Sequence, residues 1–196
     1  MGRTRQFDRE EAMDKALKLF WVNGYDRTSL DELLKAMNIK NSSFYQAFQS
    51  KEKLFLDVVA RYREIFAAPR WEVLLDDEIS ARESLTGYFK HTIFVNSERG
   101  FPIGCFMTNT WSSLVDADSK AGEEALWSLR KIEKNFMKVL ERAEKRGESL
   151  KRLKPSEGSK LLVMFLTGLT SLSRTGKSKK ELMESVTNLI DLILVK

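Results

Sequence analysis

The chain has 196 residues, with 33 Lys and Arg against 28 Asp and Glu for a net charge of +5, and it contains one Cys, one His, ten Gly and three Pro. A hydrophobic fraction of 42% beside 31% charged residues describes a folded chain with a buried core, large enough for one domain or for a small module joined to a larger one. One Cys excludes an internal disulfide, and one Cys with one His leaves no structural zinc set; the N-terminus lacks a signal-peptide core, and the longest apolar run, Leu161 to Leu166, is far short of a membrane span. No metal, cofactor or membrane partner is therefore expected, and the cytoplasm is the expected compartment. The mild positive charge permits a nucleic-acid partner without requiring one.

Few prolines and glycines in a chain rich in Leu, Ala, Glu and Lys predict an all-α fold of about nine helices. Asp8 and Glu11 have the spacing of a capping box, Met13, Leu17 and Phe20 form the first apolar stripe, and Asn23-Gly24 closes that helix. A second helix starts after Thr28 or Ser29 and carries Leu30, Leu33, Leu34 and Met37. After a break at Asn38–Lys40 comes a short third helix from Asn41 or Ser42 through Phe48. From Ser50 a longer segment presents Leu54, Phe55, Val58, Val59, Tyr62 and Phe66, with Pro69 as its expected boundary. The rest reads as helices over 79–96, 104–115, 121–146, 156–174 and 179–195. The fourth of these is apolar on nearly every side, which predicts burial from several directions; the last opens with the capping-box spacing Ser178 to Glu181.

The segment Thr28 to Lys53 is then a helix, a tight turn and a second helix. Asn38 stands where the turn calls for a left-handed backbone, which Asn tolerates. The second helix offers Asn41, Ser42, Ser43, Tyr45 and Gln46 with no acid among them. Amides can pair with adenine edges and hydroxyls with phosphates, so this is suitable chemistry for the major groove. Ordinary surface polarity for Asn41 and Gln46, packing for Tyr45 and simple solvation for Lys51 remain open. Between Lys35 and Lys53 there are four lysines against Glu52 alone. Arg3 and Arg5 precede the first acid, where they could reach a minor groove or simply be solvated.

From Phe7 to Tyr62 the chain resembles the TetR family of transcriptional regulators, through Gly24-Tyr25, Thr28-Ser29-Leu30, Ile39, Ser43-Phe44-Tyr45, Phe48 and Ser50-Lys51-Glu52. It departs at Asn38, where the family usually has Gly. The resemblance implies a DNA-binding helix-turn-helix domain over residues 1–50 and a larger helical ligand-binding and dimerisation domain over 51–196. It implies phosphate contacts by Thr28, Ser43, Tyr45 and Lys51, and base reading by Asn41, Ser42 and Gln46. It further implies a homodimer built on the last two helices, a palindromic operator in double-stranded DNA, and release by a small-molecule effector; repressors are the family's majority.

Candidate residues for an effector site are Phe94, Phe106, Met107, Trp111, Trp127 and Phe165 around His91, suited to an apolar or aromatic ligand, with plain core as the competing reading. Cys105 opens a helix, where a thiol pKa falls, and Arg174 is its expected positive partner. The Gly104-Cys105 pair resembles a branch of the family that senses electrophiles and reactive small acids; a buried inert thiol is the alternative. Catalysis is not expected, because His91 and Cys105 lack a third orienting group and no nucleotide or metal motif appears. The remaining rival is an all-helical protein-interaction module that does not bind DNA.

Overall fold

The computed structural model describes residues 7–148 and 153–194, so Arg3 and Arg5 lie outside the described residues. Helix α1 is Arg9–Asn23, and the Asp8 carboxylate accepts from the amides of Glu10 and Glu11, one half of the expected capping box. Its chain reverses at Gly24, at φ +85, in the left-handed region that favours glycine. Helix α2, Leu30–Met37, opens on a full box in which Ser29 and Glu32 satisfy each other's amides. Asn38 follows at φ 57, so the residue standing where the family has Gly takes the left-handed conformation itself. Helix α3 is Asn41–Phe48.

Helix α4 covers residues 51–75 as an α-helical stretch Lys51–Tyr62, a π-helical turn Arg63–Ala67 and a second α-helical stretch Ala68–Leu75. Pro69 was expected to end this segment and instead lies inside it. Proline cannot donate to the carbonyl one turn back, at Ile65; Arg99 donates to that oxygen instead at 3.2 Å, and Arg70 Nε donates to the Phe66 carbonyl at 2.8 Å. Helix α5, residues 81–98, repeats the device with a π-helical turn at His91–Val95. Helices α6 (Phe106–Ser113), α7 (Lys120–Lys145), α8 (Pro155–Leu172, with a 3-10 turn Ser173–Thr175) and α9 (Lys179–Ile193) complete nine helices among the described residues, with no strand. Pro155 occupies the first turn of α8, where its missing N–H costs nothing.

The long α7 packs between α6 and α8, burying Ala125, Ile132, Phe136, Val139 and Ala143. One continuous core runs from Phe20, Leu33, Phe44 and Phe48 through Phe55, Tyr62 and Phe106 to Phe89, Phe136 and Leu166. Within this single chain α8 is buried on one face only. Leu162, Leu166 and Leu169 face inward, whereas Leu161, Met164 and Leu172 are exposed. No described helix is long and apolar enough to cross a membrane.

Candidate DNA interface and effector cavity

Helix α3 is held by Phe44 and Phe48, both fully buried in the core they share with Leu17, Phe20 and Leu33. Its remaining positions face outward: Asn41, Ser42, Tyr45 and Gln46 are exposed and Ser43 is half-buried. No side chain caps its N-terminus, which leaves the first-turn amides free for an anion. The Lys51 ammonium lies 4.4 Å from the centre of the Tyr25 ring. Burial draws its pKa down, against the opposing pull of Asp26 and Glu32. Lys53 is paired with Asp57 at 3.0 Å. Thr28 does not fit the phosphate contact expected of it: the side chain is 0% exposed and its hydroxyl donates to the Gly24 carbonyl at 2.7 Å, so it locks the turn before α2.

A cleft lies between α4, α5, α6 and α7. Its enclosed part is about 20 Å³, room for a water, and with its open mouth it measures about 360 Å³. The walls include Tyr62, Arg70, Trp71, Tyr88, Cys105, Met107 and Ile132. Arg70 is 1% exposed. Besides the Phe66 carbonyl it donates to the Thr92 hydroxyl at 3.2 Å and to the Tyr62 phenol. The Tyr62 oxygen and the Cys105 sulfur lie 3.3 Å apart, within hydrogen-bonding reach. Burial pushes both Tyr62 and Tyr88 well above the ordinary tyrosine pKa, against the pull of Arg70, so both phenols are neutral near pH 7. His91 sits close by, half-buried with an unpartnered Nδ1; desolvation, then Arg70 and Arg99, lower its pKa.

Of the residues expected at an effector site, Cys105 and Met107 line this cleft and His91 feels its charge. Phe106 is turned into the core against Trp21, Phe55 and Tyr62. Phe94, Trp111, Trp127 and Phe165 do not line it. Trp111 and Trp127 are exposed, with Arg63 over the Trp127 ring at 4.2 Å; Phe94 lies beneath Lys179, and Phe165 meets Phe89 edge-on. Arg174 is not the partner of Cys105 either. It donates to the Asn109 side-chain oxygen at 2.9 Å and to the Val22 carbonyl at 3.0 Å, while Asn109 donates to the Trp21 carbonyl at 2.6 Å. Asn109 and Arg174 therefore cap the last turn of α1, which has no basic residue of its own.

The residues that sequence reasoning missed are Arg70, Asn109 and Trp21. Only Arg70 left a signal: it falls in the apolar row Tyr62, Phe66, Arg70, Leu74, one turn apart each time.

Comparison with known proteins supplies the context. The family model for bacterial regulatory proteins, tetR family, matches residues 12–58. The HTH-type transcriptional repressor ComR of Escherichia coli K12 is 34% identical over 184 residues, covering 93% of this chain and 87% of its own length. Among solved structures, the TetR family regulator CifR, as a cysteine-substituted variant complexed with a 26 bp double-strand operator, superimposes with a TM-score of 0.84 at 27% identity. The match covers 96% of this chain and 98% of CifR. Escherichia coli NemR in reduced form shares the fold, with a TM-score of 0.74 at 22% identity over 94% of this chain and 96% of NemR.

Proposed function

The chain belongs to the TetR family of bacterial transcriptional regulators, and from that premise we propose that it is a cytoplasmic repressor, gripping a palindromic operator as a homodimer and releasing it when a small molecule or electrophile acts on the cleft at Cys105. The observation that carries the DNA reading is the outward face of α3, four exposed polar side chains without an acid, braced from behind by Phe44 and Phe48. In this reading Asn41, Ser42 and Gln46 meet base edges in the major groove, while Ser43, Tyr45 and Lys51 hold phosphates with the free first-turn amides of α3. Residues 1–50 form the DNA-binding module and the remainder the effector and dimer domain, with α4 packed against α1 and α7 as the shared element.

Dimerisation through the last two helices is supported by the bare outer face of α8, Leu161, Met164 and Leu172, with Leu192 of α9. The electrophile reading is supported by the Cys105 thiol at the first residue before α6, beside the Tyr62 phenol that Arg70 polarises.

Selection of bound sequences from random duplex DNA, followed by salt titration, tests the reading. The expected result is a twofold-symmetric site with half-sites about one helical turn apart, above a salt-dependent background on any duplex. No salt-dependent binding to random duplex would move the chain to the protein-interaction alternative. For the thiol, N-ethylmaleimide is expected to release operator from wild type and not from Cys105→Ser; equal responses would remove Cys105 as the sensor.

A further inference from the structure

We propose that the cleft binds the carboxylate of a small aromatic acid, with the Arg70 guanidinium as its counter-charge and the ring between Trp71, Tyr88, Met107 and Ile132. This rests on the reading of the cleft as the effector site and names the ligand class that the site selects.

Arg70 is a permanent cation taken out of water. All three of its hydrogen-bond partners, the Phe66 carbonyl, the Thr92 hydroxyl and the Tyr62 phenol, are formally neutral. Every ion pair of an arginine with an acid among the described residues belongs to another arginine. A guanidinium carries five N–H groups and three are engaged, so two donors remain on a side chain that lines the cleft. Burying a charge with only dipoles around it is expensive, and an anion arriving in the cleft recovers that cost. The planar fork matches a carboxylate in two parallel hydrogen bonds. The other walls are aromatic and aliphatic, and the cleft is narrow, with about 20 Å³ enclosed before its walls part towards the open mouth, which points to no more than one ring and one acid group. Inorganic phosphate would leave those apolar walls unused.

The test is a tryptophan-fluorescence titration of the full-length protein without DNA, since Trp71 lines the cleft. Benzoate, phenylacetate and cinnamate are compared with their amides and with inorganic phosphate at constant ionic strength. At least one acid is expected to bind saturably and about tenfold tighter than its own amide and than phosphate. Arg70→Met is expected to bind acid and amide alike, and Arg70→Lys to fall between. Equal binding of acid and amide to wild type, phosphate equal to the best acid, or no saturable binding by any acid would overturn the proposal. The wild-type comparison stands even if a variant fails to fold. Operator binding is measured separately, so a missing acid preference with intact operator binding sinks the ligand class alone, whereas lost DNA binding sinks the regulator reading.

Discussion

Lys51 lies over the Tyr25 ring, with its charge partly desolvated and Asp26 and Glu32 pulling the other way. Such an ammonium is held in place, so it can meet a phosphate without ordering a long side chain first. Lys51→Ala is expected to weaken binding to operator and random duplex alike and to lower the slope of log affinity against log salt by about 1. Fluorescence polarisation across a salt series checks this, and an unchanged slope would remove Lys51 from the interface. His91 gives a second measurement at this scale. Its pKa is held down by desolvation, Arg70 and Arg99, so the unfolded chain binds its proton more readily than the fold does. The stability this confers is present above the unfolded value of about 6.5 and is lost as pH falls below it. His91→Gln should shrink the drop in urea midpoint between about pH 7.5 and 5.5; an undiminished drop would assign it to other groups. His91 and Cys105 stood out in the sequence because each residue type occurs once. Arg70 was hidden among 33 basic residues, since its role comes from losing water, which composition does not show.

The helices were legible where their signals are local. The helix start after Thr28 or Ser29, the box at Ser178–Glu181, the left-handed Asn38 and the proline opening α8 are each decided within four residues. The continuation of α4 through Pro69 was not legible, because the groups that replace the missing hydrogen bond include Arg99, far along the chain. The same holds for the clamp on α1. Trp21 and Asn109 stand 88 residues apart and Val22 and Arg174 stand 152 apart, so no window of sequence contains both partners. That clamp ties α1 to α6, whose first residues line the cleft beside Arg70. Asn109→Ala leaves the buried Trp21 carbonyl without its donor and is expected to cost about 1–3 kcal/mol in urea unfolding. Arg174→Ala, at the exposed end, should cost less, and the double mutant should lose less than the sum. Strict additivity would show that the two side chains do not act as one clamp.

At the level of the whole molecule, the apolar sequence of α8 describes two different surfaces. The inner one, Leu162, Leu166 and Leu169, is filled by this chain's own core; the outer one leaves Met164 67% exposed, and Leu192 of α9 is 70% exposed. Periodicity alone cannot separate a face covered by the same chain from one left for a second copy, so the apolar sequence predicted burial from several directions without saying which side is which. Gly168 on the same helix has open space where a side chain would stand, allowing a partner backbone to approach closely. On the proposed reading, the charge pattern makes pairing necessary for useful affinity. Each module brings Lys35, Lys40, Lys51 and Lys53 against Glu52 over that segment, and Lys53 is already engaged by Asp57. So few phosphate contacts bind duplex DNA weakly, whereas two rigidly joined modules add their binding energies. Met164→Glu puts a charge at the centre of the bare face and is expected to give a folded monomer of unchanged helicity in sedimentation at about micromolar concentration. Its operator affinity should fall by at least about a hundredfold and its salt slope to about half that of wild type, since one module's contacts remain. A dimer that survives this substitution with full operator affinity would place the twofold axis on another face.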